Sequence, residues 1–158
     1  MKVKDFERIQ EKIFCYDHPS GLKAFVIPKK GYNKKYATFA TYYGSVNNTF
    51  IIPGQKNETH VPDGIAHFLE HKLFEQEDGS VMDKFSKLGS EPNAYTSFTQ
   101  TVYLFSCTDY FEENFRLLID YVQHPYLTDE SVEKEKGIIG QEIKMLKTMP
   151  IGVCFLIF

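Results

Sequence analysis

The sequence predicts an α+β fold, a mostly antiparallel sheet with helices packed on one face. Two observations carry that expectation. Strands come first, then helices, then strands and helices again, without the strict alternation of a parallel βαβ architecture. Runs rich in β-formers are separated by Pro/Gly turns, whereas the helical stretches carry apolar residues at spacings of three and four. At 158 residues the chain has about one domain's length. It holds no repeat, low-complexity stretch or linker, so residues 1–158 are read as one domain.

The elements follow in order. Residues 13–16 (IFCY) and 22–27 (LKAFVI) flank His18-Pro19-Ser20-Gly21 and read as a hairpin. Tyr36 to Tyr43 is rich in β-formers and ends at Gly44, giving a third strand. A polar loop follows from Asn47 to Asp63. Asp63 is placed to cap a helix whose apolar positions are Ile65, Ala66, Phe68, Leu69, Leu73 and Phe74. A short helix runs from the cap candidate Ser80 through Leu88 and stops at Gly89. Asn93–Phe98 and Thr101–Cys107 read as strands, and Phe111–Val122 as an amphipathic helix stopped near His124-Pro125. A last helix spans about Asp129 to Lys147, with Thr128 as its cap and Pro150 beyond its end.

Composition excludes several functional classes. The net charge is −3 with both signs interspersed, unlike the clustered basic footprint of a nucleic-acid binder. Cys15, Cys107 and Cys154 are odd in number and far apart, so a disulfide framework is not expected and a reducing cytoplasm is. The charged start lacks a signal-peptide core, and no run approaches the roughly 18 apolar residues of a membrane span. The segment TMPIGVCFLIF at the end is apolar without being long enough to span a bilayer, and it reads as a chain cut short after about residue 147. The other reading is a terminal strand tucked into a core or a partner.

The chemistry lies in HFLEH, residues 67–71. With about 100° per helical residue, His71 falls about 40° from His67 on one stripe, and Glu70 about 60° to its other side. Two imidazoles can bind Zn²⁺ at about 2.0–2.1 Å while the adjacent carboxylate takes a proton from the water that the metal activates. A structural or solvated histidine is the ordinary alternative for either position. Here the motif sits among Ile65, Ala66, Phe68 and Leu69, where burying His, His and Glu without a partner would be costly. A catalytic zinc needs one more protein ligand and an open position. Glu135 and Glu142, seven apart on the last helix, are equal candidates on spacing alone.

The order H-x-x-E-H marks the inverted zinc motif. Three stretches, GIAHFLEHKLFE (64–75), FSKLGSEPNAYTSFTQTVYLFSC (85–107) and VEKEKGIIGQEIKM (132–145), together resemble the pitrilysin/insulinase family of zinc metallopeptidases, most closely a bacterial YmfH-like branch. The resemblance implies the N-terminal half-chamber domain of such an enzyme. It implies that His67, His71 and Glu142 hold Zn²⁺, that Glu70 is the general base, and that Glu135 supports the ligands from behind. It further implies a peptide substrate laid as an extra strand along Asn93, Ala94, Tyr95 and Thr96, and a related second domain or subunit that closes the chamber. Two rivals remain at this point: an inactive partner module of a heterodimeric peptidase, and a zinc-stabilised structural domain. The latter needs a fourth protein ligand, and none has a suggestive local spacing. His18, His60 and His124 read as surface or loop residues, and Cys15 and Cys107 as small core residues.

Overall fold

The computed structural model describes residues 1–148, so the apolar run 149–158, with Pro150 and Cys154, lies outside the described residues. The backbone divides into two compact units, Met1–Asn33 and the chain from Lys34 onward.

In the first unit, β1 (Lys2–Phe6), a 3-10 turn (Glu7–Ile9), β2 (Glu11–Asp17) and β3 (Lys23–Val26) form an antiparallel sheet in the order β1-β2-β3. The hairpin between β2 and β3 is the expected one. Its turn closes through the amide of His18 donating to Leu22 O at 2.8 Å, with Gly21 at φ 92°, a conformation that suits glycine. Strand β1 was not expected. Its five residues are all exposed and carry no alternating apolar pattern, and its pairing with β2 depends on the return through Gln10 at φ 55°.

The second unit contains β4 (Lys35–Thr41), β5 (Thr49–Ile51), β6 (Glu58–His60), α1 (Ile65–Leu73), β7 (Glu75–Gln76), β8 (Gly79–Ser80), α2 (Val81–Lys87), β9 (Glu91–Thr96), β10 (Thr101–Cys107), α3 (Phe111–Gln123) and α4 (Asp129–Thr148). The antiparallel α+β architecture expected from the sequence is present. Its main sheet has the order β4-β10-β9, with β9 at an edge, while β5-β6 and β7-β8 are separate two-stranded ribbons. The loop expected from 47 to 63 thus contains a short strand pair, in which Thr49 faces His60.

Register decides which face meets the helices. Tyr103 pairs with Ala94 and Phe39, Phe105 with Pro92 and Ala37, and Thr101 with Thr96, so these residues share one face. Tyr103, Phe105, Cys107 and Ala37 bury there against Val81 and Phe85 of α2 and Leu118 and Tyr121 of α3. Aromatic edges fill this core: Tyr103 and Tyr121 meet T-shaped at 5.8 Å, and Phe85 and Tyr121 likewise at 6.1 Å.

Two helix starts match their sequence signals. Ser80 accepts from the amide of Met82, and Thr128 Oγ1 accepts from the amide of Ser131 while the Ser131 hydroxyl donates back to Thr128 O. Helix α1 departs from expectation. Gly64, at φ 83°, occupies the cap position, and Asp63 instead accepts from Asn48 Nδ2 at 2.8 Å. The preceding loop competes for the Asp63 carboxylate, and glycine tolerates the left-handed entry.

Phe85 is fully buried at the centre of this packing. Phe85→Ala is expected to lower the unfolding free energy of its unit by about 3–5 kcal/mol in urea titration. A loss under about 1 kcal/mol would mean that the core is not built around this ring.

Candidate metal centre

Helix α1 supplies His67, Glu70 and His71, and α4 lies against it carrying Glu135 and Glu142. On α4 the residues turned inward are Ser131, Glu135, Ile139 and Glu142, whereas Ile138, Ile143 and Met145 stand exposed. The polar stripe is the packed one because imidazoles await it.

His67 Nε2 lies 3.9 Å and His71 Nε2 lies 3.7 Å from the same oxygen, Glu142 Oε2. These gaps are too long for hydrogen bonds. Ligands at about 2.0–2.1 Å from a tetrahedral ion stand roughly 3.4 Å apart, close to what is found. The three donor atoms all lie within 4.8 Å of one another. The two rings approach edge to face at 4.5 Å.

Glu135 answers a question that spacing left open. Its Oε1 is 2.9 Å from His71 Nδ1. A carboxylate can only accept, so Nδ1 carries the hydrogen and the lone pair of Nε2 is left for a ligand role. Glu135 is buried, 7% exposed, behind the ring, and Glu142 stands in front of it. The arrangement matches the common pairing of a metal-binding histidine with a carboxylate on its second nitrogen.

Glu70 is also buried, and it accepts from Thr96 Oγ1 at 2.7 Å. The phenols behind it have their pKa pushed up from the ordinary value: Tyr103 by burial and then by the charge of Glu70, Tyr121 by burial, then Tyr103, then Glu70. The Tyr121 hydroxyl finds no hydrogen-bond partner among the described residues, so the wall behind Glu70 is poorly solvating.

Charge supplies the test of fit for a metal. Glu135 and Glu142 crowd the imidazoles of His67 and His71, and Glu70 precedes His71 on the same helix. The nearby cations are engaged elsewhere: Lys72, fully buried, donates to Glu75 Oε2 at 2.6 Å, and Lys134 lies 3.5 Å from Glu75 Oε1. Concentrated negative charge facing two imidazole lone pairs suits a divalent cation of intermediate softness, such as zinc. A cleft of about 610 Å³ opens beside His71 and Glu135, lined also by Phe74, Tyr126 and Glu130.

The other candidates fall as follows. Asn93, Ala94, Tyr95 and Thr96 all lie on β9, whose outer edge has no partner strand among the described residues. Ala94 and Thr96 share the helix-bearing face, and Asn93 and Tyr95 the other. His18 and His124 are exposed, and His60 sits on β6 against the Thr49 hydroxyl. Cys15 and Cys107 are buried free thiols. Two features escaped the sequence. The Thr96–Glu70 contact joins residues 26 apart and leaves no local signal. The Lys72–Glu75 pair did have a local signal, opposite charges three residues apart around Leu73 and Phe74.

Comparison with known proteins follows the same line. Residues 47–155 match the family described as Insulinase (Peptidase family M16). The "Uncharacterized zinc protease YmfH" of Bacillus subtilis is 55% identical over 150 residues, 95% of this chain and 35% of that protein. The beta subunit of human mitochondrial-processing peptidase is 32% identical over 104 residues, 63% of this chain and 21% of that one. The crystal structure of an M16-like peptidase from Alicyclobacillus acidocaldarius superposes with a TM-score of 0.83 at 43% identity, over 90% of this chain and 33% of that one. The chain therefore spans about a third of the length of the two bacterial relatives.

The Lys72–Glu75 pair yields a test that needs no metal. Removing Glu75 strands a buried ammonium, whereas replacing Lys72 by methionine removes the buried charge itself. Glu75→Ala should cost about 2–3 kcal/mol, less than the roughly 3–5 kcal/mol of a fully buried pair because Glu75 is partly exposed, and Lys72→Met should be near neutral. The Lys72 hydrogen bond, ahead of the charges of Lys72 and Lys134, holds the Glu75 carboxyl below its ordinary range. Its stabilisation is thus full above about pH 4.3, the unfolded value, and lost as pH falls through the depressed folded value. Urea titrations in chelator at pH 7 and in acid check this. Equal losses for the two variants would contradict it.

Proposed function

The chain belongs to the insulinase family, peptidase family M16, and from that premise we propose that it is the metal-bearing domain of a zinc-dependent endopeptidase. Its relatives are named zinc proteases. The observation that carries the reading is the convergence of His67, His71 and Glu142 within 4.8 Å, with Glu70 beside His71 on the same helix. In this reading His67 Nε2, His71 Nε2 and Glu142 Oε2 hold the ion, and Glu135 fixes the tautomer of His71. Zinc, when bound, acts as a Lewis acid that polarises a peptide carbonyl and acidifies water.

The residues of the chain do the rest. Glu70 takes a proton from the attacking water and passes it to the departing amine, so the acceptor of one step is the donor of the next. Strand β9 receives the peptide along the edge that is unpaired among the described residues, where backbone hydrogen bonds set register and side chains of alternate faces set preference. A related second domain or subunit covers the peptide. The name of the human relative, a subunit beta, supports such division of labour. A reducing, cytoplasmic setting belongs to the same proposal, supported by the free thiols of Cys15 and Cys107.

Zinc content per chain, by elemental analysis of the parent and of His71→Ala, is the deciding measurement. About one zinc in the parent and little in the variant is expected. Glu142→Ala should lose zinc, whereas Glu135→Ala should keep most of it at an affinity about 10–100-fold lower. Glu70→Gln should keep zinc and, with the covering domain supplied, lower peptide hydrolysis by about 10²–10⁴-fold. A folded parent without zinc would remove the peptidase reading and favour an inactive partner module.

A further inference from the structure

We infer that Thr96 is a positioning residue for Glu70, and that its place is set by the glycine-tight docking of residues 43–46 on the turn between β9 and β10. The inference rests on the reading of Glu70 as the proton acceptor. Strand β9 entered above as the peptide's edge, but the Thr96 side chain is turned to the helix face and engaged there.

A hydroxyl has one hydrogen to give. Thr101 Oγ1 gives its hydrogen to Tyr43 O at 2.8 Å, so it has none for its cross-strand partner Thr96, 3.4 Å away. The Thr96 hydrogen goes to Glu70 Oε2 at 2.7 Å, a length typical of a hydroxyl on a carboxylate. One carboxylate oxygen is thereby tied to the sheet, and the side chain loses the rotamer freedom that a glutamate otherwise keeps. The other oxygen is left for the reacting water. A base placed this way needs no reorganisation when the proton moves.

Thr96 is itself held from below. The Ser97 amide donates to Gln100 O at 2.8 Å and closes the turn that follows it. The amides of Ser45 and Val46 donate to Ser97 O and Phe98 O, each at 3.0 Å, so the segment after β4 docks on that turn. Asn47 stiffens the segment by accepting from the Gly44 amide at 2.9 Å. At Gly44 a Cβ would stand 2.5 Å from both Gln100 N and Ser97 O and 2.6 Å from the Phe98 carbonyl carbon. All three are backbone atoms and cannot swing aside. Glycine is required here for space, and any side chain pushes the turn away, with Thr96 attached.

Three variants separate the possibilities. Thr96→Val keeps shape and removes the donor, Thr96→Ser keeps the donor, and Gly44→Ala displaces the turn. The first readout is the Glu70 side-chain rotamer in the zinc-loaded 158-residue chain, from NMR couplings of its methylenes. A single rotamer is expected in the parent and in Thr96→Ser, and averaging over several in Thr96→Val and Gly44→Ala. Zinc affinity, by chelator competition, should be unchanged in Thr96→Val, because Thr96 touches no ligand. With the covering domain supplied, Thr96→Val should lower kcat about 10–100-fold at constant KM, and Thr96→Ser should restore it. A raised KM at constant kcat would assign Thr96 to substrate binding instead. A single Glu70 rotamer retained in Thr96→Val overturns the inference, whether or not the chain hydrolyses peptides. Hydrolysis indifferent to Glu70→Gln would sink the underlying reading of the base, and the rotamer readout would still decide the anchoring.

Discussion

One imidazole between two carboxylates organises this molecule. His71 gives its Nδ1 hydrogen to Glu135 and turns Nε2 toward Glu142, and both carboxylates come from the same helix. Seven helical residues span about 10.5 Å, so the two side chains reach the ring from two turns apart. That is possible only if α4 crosses α1 with its Ser131–Glu135–Glu142 stripe inward, which leaves Ile138 and Ile143 outside. A helix that exposes isoleucine and buries glutamate contradicts simple amphipathicity. The contradiction is resolved by what the glutamates meet: ring nitrogens and, in the proposed reading, a dication.

Charge is sorted around that pair of helices with little waste. Glu75 draws both Lys72 of α1 and Lys134 of α4 to itself, which joins the two helices a second time. It also keeps both ammonium groups off the carboxylates at the centre. Had Lys72 or Lys134 reached Glu135 or Glu142 instead, an ion pair would have neutralised the site and weakened its claim on a cation. The wall behind Glu70, made of Tyr103 and Tyr121 whose phenols burial makes weaker acids, adds no compensating charge. Glu135 and Glu142 are therefore left to the histidines, without a cation of the chain between them, an arrangement that is costly empty and favourable filled.

What could be read from the residues divides along the range of the signal. HFLEH, the Ser80 and Thr128 caps and the strands around Thr101–Cys107 are local patterns, and each stands where it was expected. Strand β1 was invisible because all its residues are exposed and it is paired on one side only, so no apolar alternation was required of it. The Asp63 cap failed because a residue 15 positions away competed for the carboxylate. Glu135 and Glu142 were equal on spacing, because helical periodicity treats residues seven apart alike; the resemblance separated them, and the His71 nitrogens give the physical difference. Which side of β9 faces Glu70 needed the register with β10.

That register has a mechanical consequence for the proposed chemistry. In the proposed reading the β9 backbone serves two clients at once: its outer edge, unpaired among the described residues, takes the peptide, and its Thr96 side chain ties down Glu70. Successive strand residues advance about 3.4 Å, and their side chains alternate between faces. A peptide that pairs with β9 is therefore registered, by backbone hydrogen bonds, against the same strand that orients the base. The Gly44 clamp then bears on both, since moving the turn after Thr96 moves the end of the edge and the anchor of the carboxylate together. Substrate register and base position thus share a single backbone reference. An error in either is corrected or propagated by the same few hydrogen bonds, which accounts for a glycine with no room for even a methyl group in a segment that touches no ligand.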